Sequence, residues 1–113
     1  DGWLRNCFTD MDNSYDRIWH DKIPIIDVPN GDLIAFDKKP DSDTYPVVYL
    51  SHDDGELHGN VLGNDFLDFV TRWSNISCIG TESWQIDPFY DYEKNLISTD
   101  NEAVRVWKKW LGN

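Results

Sequence analysis

The stretch Ile25-Ile26-Asp27-Val28-Pro29-Asn30-Gly31-Asp32-Leu33-Ile34-Ala35-Phe36-Asp37 decides the fold class. Two apolar, β-branched runs flank Asn30-Gly31, and Asn-Gly is the strongest short signal for a hairpin turn. The first strand is expected over Ile23 to Val28, with Pro24 near its start, where a missing N–H is tolerated. The return strand is expected over Leu33 to Asp37. A two-residue turn at Asn30-Gly31 pairs Val28 with Leu33 and Ile26 with Ala35, and sends Ile25 and Phe36 to the opposite face. Both faces are then partly apolar. A hairpin wet on one side alternates more cleanly, so this one belongs in a sheet covered on both sides, by its own chain, a partner or a second copy.

Outward from the hairpin the signals alternate between strand and helix. Before it, Ser14 to Trp19 reads as a short helix. After it, Lys38 to Pro46 is a polar linker and Val47 to Ser51 a compact strand. His52-Asp53-Asp54-Gly55-Glu56 is a turn, with Leu57 to Leu62 returning as a weak strand interrupted by Gly59. Asn64 can cap a helix from Asp65, on which Phe66, Phe69, Val70 and Trp73 share one face before Ser74-Asn75 end it. Ile76 to Leu96 is irregular on this reading. The last helix carries Thr99-Asp100-Asn101-Glu102, which has capping-box spacing. It has a stripe of Ala103, Trp107 and Trp110 flanked by Val104 and Leu111, a Lys108-Lys109 pair suited to the dipole's negative end, and Gly112 at the C-cap. The fold class is α+β: a mixed, mostly antiparallel sheet with helices packed against it.

Composition narrows the function. The 113 residues suit one small domain. Ten Lys and Arg stand against 21 Asp and Glu, 17 of them Asp, for a net charge of −11. With 14% aromatics and six Trp the chain is no disordered acidic tail. The acid would repel a phosphate backbone, so no nucleic acid is expected; a basic partner fits better. No apolar stretch approaches the ~20 residues of a membrane span. No charged-then-apolar leader is visible in the N-terminal residues given, a segment lost before Asp1 would leave no trace, and a cytoplasmic location is expected.

Chemical motifs read weakly. His52 to His58 offers five potential metal ligands in seven residues, but the segment is a turn, not His-Glu-x-x-His on a helix, and reads as a solvated acidic tip. Asp10-x-Asp12-x-Ser14-x-Asp16 begins like a calcium loop. Tyr15 stands where Gly is required and Asp21 where a bidentate Glu belongs, so a cap or surface loop is preferred. Among 17 Asp, paired carboxylates arise by chance. There is no nucleophile elbow and no phosphate-binding Gly loop. Cys7 and Cys78 read as buried or idle thiols, with a single disulfide as the alternative, and Cys78 as packed against the Trp73 helix. Asn75-Ile76-Ser77 is a glycosylation sequon with meaning only in a secreted chain. Trp73, Trp107 and Trp110 are expected in the core; Trp3, Trp19 and Trp84 are expected exposed. No metal, no cofactor and no catalytic residue is expected.

The hairpin above, the strand and turn Pro46 to Glu56, the helix Asn64 to Trp73 and the closing segment Val106 to Gly112 together resemble the SUKH superfamily. The order and spacing of these pieces carry the resemblance, loosely over residues 1–113 and best over Ile23 to Trp73. The family's N-terminal helical region has no counterpart ahead of the matched segment. The resemblance implies a single α+β binding module without catalytic residues, such as a bacterial immunity protein that neutralises a cognate toxin. The alternative it implies is a regulatory or scaffolding domain in cell-wall assembly or signalling control. Combined with the charge, it points to occlusion of a basic toxin domain by acidic loops. The contact groups are then Asp10, Asp12 and Asp16; Asp41 and Asp43; and Asp53, Asp54 and Glu56. A small acidic hydrolase or metal-binding protein is the third reading.

Overall fold

A computed structural model describes residues 4–112. Four strands, β1 (Lys22–Asp27), β2 (Leu33–Asp37), β3 (Val47–Leu50) and β4 (Val61–Gly63), form a sheet in the order β1-β2-β3-β4. Each neighbouring pair is antiparallel. A second, two-stranded sheet pairs β5 (Tyr90–Asp91) with β6 (Leu96–Ile97). Four helices complete the fold: α1 (Ser14–Ile18), α2 (Phe66–Asn75), α3 (Ser83–Ile86) and α4 (Glu102–Trp110). The architecture is α+β.

The hairpin forms where expected, in a different register. Asp27 pairs with Leu33, Ile26 with Ile34 and Pro24 with Ala35, with an irregularity between Pro24 and Ile26. The turn has three residues, not two. Gly31 N–H donates to the Val28 carbonyl (3.0 Å) and Val28 N–H to the Asp32 carbonyl (3.0 Å). Gly31 alone takes the left-handed conformation, φ +98°. This is the type I turn closed by a glycine bulge. Pro29 favours it, because its fixed φ suits the first corner of a type I turn, whereas in a two-residue turn at Asn30-Gly31 it would face Asp32 without the N–H that this pair requires.

The β2–β3 core of the sheet is covered on both faces, as the two-sided hairpin implied, and by the chain itself. On one side Ile34, Val47, Tyr49 and Leu62 pack with Phe69 of α2, Ile86 of α3 and Val104 of α4. On the other, Ala35, Val48 and Leu50 pack with Leu4 and Trp19, edged by Phe8, Tyr15 and Ile18. No second copy is needed for that purpose. Trp19 was expected exposed and is 3% exposed, stacked on Phe8 at 4.4 Å. Trp3 lies outside the described residues.

Several boundaries move for local reasons. Asp65, not Asn64, caps α2, accepting from Asp68 N–H at 2.7 Å, while Asp68 accepts from Asn64 N–H at 2.8 Å. The helix closes in a Schellman motif, with Ser77 N–H on the Ser74 carbonyl and Cys78 N–H on the Trp73 carbonyl. Only Phe69 of the expected α2 stripe is fully buried; Trp73 is half-buried, and Phe66 and Val70 face solvent. Asn101, not Thr99, caps α4, accepting from Val104 N–H at 2.9 Å, and Ser98 Oγ takes the Asp100 and Asn101 N–H groups. On α4, Val104 is buried and Trp107 half-buried, whereas Trp110, expected in the core, is 82% exposed. The return strand shortens to β4, and Leu57 and His58 are buried in the preceding loop. The supposedly irregular 76–96 segment holds α3, a 3₁₀ turn (Asp87–Phe89) and β5. Cys7 and Cys78 are free and exposed; neither is packed and they share no disulfide.

Candidate functional site

The β3–β4 loop carries Asp53, Asp54 and Glu56, and its shape is set from beneath by Asp32, which sequence reasoning passed over as part of a turn. Asp32 is 1% exposed. Its Oδ1 accepts the His52 N–H (2.8 Å) and the His52 ring Nδ1–H; its Oδ2 accepts the Tyr49 hydroxyl and, at 3.3 Å, the Asn30 amide. Tyr49 is itself buried on β3, and Ser83 at the start of α3 lies near enough to its hydroxyl to oppose part of its upward shift. A hydrogen-bonded chain therefore runs Tyr49–Asp32–His52, from the core to the base of the acidic loop.

The electrostatics follow from that chain. Burial alone would raise the Asp32 carboxyl; the His52 amide, the Tyr49 hydroxyl, the His52 ring and Asn30 outweigh it and hold the group below its ordinary value. The hydrogen bond to Asp32 raises His52 above 6.5. Burial first, then the Asp32 carboxylate, push the Tyr49 phenol far up, so it stays a donor.

Above this base Ser51 shapes the loop. Its hydroxyl bridges Asp53 Oδ1 (2.5 Å) and Gly55 N–H (3.0 Å). His58 closes the other side: Nδ1 accepts Ser51 N–H at 2.9 Å, which leaves the proton on Nε2, 3.1 Å from the Tyr15 carbonyl. Tyr15 of α1 donates its hydroxyl to the His52 carbonyl at 2.7 Å. The loop is thus tied to α1 at both ends.

These ties gather some of the expected contact groups and leave others out. Asp16, Asp53 and Asp54 all lie close enough to the Tyr15 phenol to raise it by their charge, after burial. Asp10 joins them through its N–H, which donates to Asp16 Oδ2 at 3.0 Å, and Asp12 N–H donates to Asp10 Oδ1 at 3.2 Å. The resemblance of residues 10–16 to a calcium loop resolves into this local turn, with Asn13 capping α1. Glu56 sits at the loop's far side in a depression of about 200 Å³ shared with Leu57, Ser83, Trp84 and Asp87. Asp43 belongs elsewhere, lining a depression with Phe36, Thr44, Tyr45, Asp65, Phe66 and Leu67; Asp41 is exposed in the neighbouring turn. No described contact joins Asp41 or Asp43 to the other six. Among the described residues no Lys or Arg forms a salt bridge with Asp10, Asp12, Asp16, Asp53, Asp54 or Glu56; the carboxylates paired with Lys or Arg are Asp37 and Asp68.

Asp32, His52 and Asp53 bring potential ligand atoms within 4.8 Å of one another. Asp32 already accepts four donors there, and a cation would have to displace the His52 ring. The Asp32–His52 pair resembles the orienting half of a catalytic triad, but no hydroxyl or thiol is hydrogen-bonded to the His52 ring among the described residues. What the arrangement does chemically is hold carboxylates in place. No family model, no curated protein and no solved structure matches the chain.

Proposed function

We propose that the chain is a non-catalytic binding module that neutralises a basic toxin domain by covering its substrate cleft, in the manner its resemblance to SUKH immunity proteins implies. The observation that carries this reading is the convergence of Asp10, Asp12, Asp16, Asp53 and Asp54 around a loop fixed by buried hydrogen bonds, without a salt-bridging Lys or Arg on the described part of the chain. Uncompensated charge on a pre-ordered loop costs a partner little ordering entropy and steers its approach. Asp41 and Asp43 drop out of the contact surface.

The test uses a basic toxin domain encoded beside this chain's gene. Coexpression should protect the cell, and the association rate should fall at least about tenfold between 50 and 300 mM salt, as steered encounters do. Reversing Asp53, Asp54 and Glu56 to Lys should weaken the complex by a similar factor. Salt-independent association, or full protection by the triple variant, overturns the reading.

A further inference from the structure

The depression beside the acidic loop has a composition the charge reading alone does not explain. It is lined by the buried Leu57, by Ser83 at the start of α3, by the acidic residues Glu56 and Asp87, and by Trp84, which is 68% exposed. The exposure follows from helix geometry. On α3 Ile86 is buried at 1%, and Trp84, two residues earlier, is rotated about 200° away. The short helix is held by its capping box, in which Gln85 Oε1 accepts Glu82 N–H at 3.1 Å. Asp87 is held too: the Tyr92 hydroxyl donates to its Oδ1, leaving Oδ2 without a partner on the described chain. Glu56 lies near enough to Tyr92 to act on its phenol by charge. Neither Glu56 nor Asp87 forms a salt bridge among the described residues.

We infer that this depression is a receptor for a single arginine side chain of the partner, the guanidinium lying on the Trp84 indole with its N–H groups on Glu56 and Asp87. This rests on the basic-partner reading above. The size fits one side chain: about 200 Å³ is below the usual range for small-molecule pockets. The chemistry favours arginine over lysine, because a planar guanidinium stacks flat on an indole while its fork of N–H donors meets carboxylates, and a compact ammonium has no face to stack. An exposed Trp beside a rim of charge is also the residue type that dominates interface energies.

The probe is N-acetyl-arginine amide, with N-acetyl-citrulline amide as its uncharged isostere, titrated into the full chain at constant ionic strength. The readout is the Trp84 indole N–H resonance, assigned with Trp84→Phe. Arginine amide should shift it saturably, citrulline amide at least fivefold more weakly, and Glu56→Gln should weaken the arginine response at least threefold. An unmoved resonance, or equal responses to the two probes, overturns the inference. With a basic toxin domain in hand, Trp84→Ala should slow association little and speed dissociation at least tenfold. If Trp84→Ala binds like the parent while Asp53→Lys with Asp54→Lys does not, the arginine receptor is wrong and the acidic face stands. If arginine amide moves Trp84 in a chain that no basic domain engages, the receptor's chemistry is upheld and the immunity reading falls.

Discussion

Two histidines six positions apart in the β3–β4 loop have opposite electrostatic fates. Both belong to one acidic heptapeptide, yet His52 faces Asp32 and is raised, while His58 is buried and lowered. The signs for stability follow. The His52 contribution is present below pH 6.5, where both folded and unfolded forms are charged, and is lost as pH rises through its folded value. The His58 contribution is present above pH 6.5 and is lost as pH falls from there through its folded value. Asp32 adds a third, lost as pH falls below 3.8. In an NMR titration His52 should titrate above 6.5 and His58 below it, and Asp32→Asn should bring His52 down toward 6.5. Coincident titrations would show that the Asp32 pairing does not form in solution. Asp32 was not recognisable beforehand because 17 Asp are spread over the chain and only burial distinguishes this one. Burial comes from β2 pairing with β3, which brings Tyr49 alongside Ile34.

At the scale of elements, most strands and helices were legible and their edges were not. Leu33 to Asp37 formed as a strand with the expected ends, because a short β-branched and aromatic run is bounded by a Gly-containing turn on one side and a Lys-Lys-Pro break on the other. The hairpin register came out one residue off, since the Asn-Gly signal does not distinguish a two-residue turn from a three-residue one; Pro29 was the unread discriminator. Amphipathic stripes were read too generously on α2 and α4. Two-sided packing needs only one buried side chain per helix here, Phe69 and Val104. The contact between α2 and β4 makes a prediction. A Cβ on Gly63 would lie 2.5 Å from Phe69 Cα and N, both backbone, so α2 itself would have to move. Gly63→Ala should cost about 2–3 kcal/mol, in the range of an overpacked core. In urea this should appear as a lower midpoint at unchanged slope. An unchanged midpoint would mean that α2 yields without cost.

For the whole molecule, the net charge of −11 is a property of stability as well as of partner choice. Among the described residues Lys22 and Lys39 share Asp37 and Arg72 pairs with Asp68, which leaves most of the 21 acids without a Lys or Arg salt bridge there. Self-repulsion of like charge destabilises the compact state. Lowering the Debye length from about 30 Å at 0.01 M salt to about 8 Å at 0.15 M should relieve it. We expect the thermal midpoint to rise by about 4 °C or more over that range, the shift that about 1 kcal/mol gives a domain of this size. A midpoint that falls or stays constant in calorimetry would show the acid to be too dispersed to matter.

The sequence by itself determined that this is an acidic, aromatic-rich α+β chain with a covered hairpin. Those features depend on local periodicity, turn residues and net charge, which need no long-range contact to read. Only the tertiary structure decided which acids act together. It tied Asp53 and Asp54 to α1 through Tyr15 and His58, set Glu56 beside Trp84 and Asp87, and left Asp41 and Asp43 apart. It also decided that Trp19 is buried and Trp110 is not. The reason is physical: carboxylates and indoles do not encode their own neighbours. Sheet pairing and the burial of a few side chains brought residues 20 to 43 positions apart to one face.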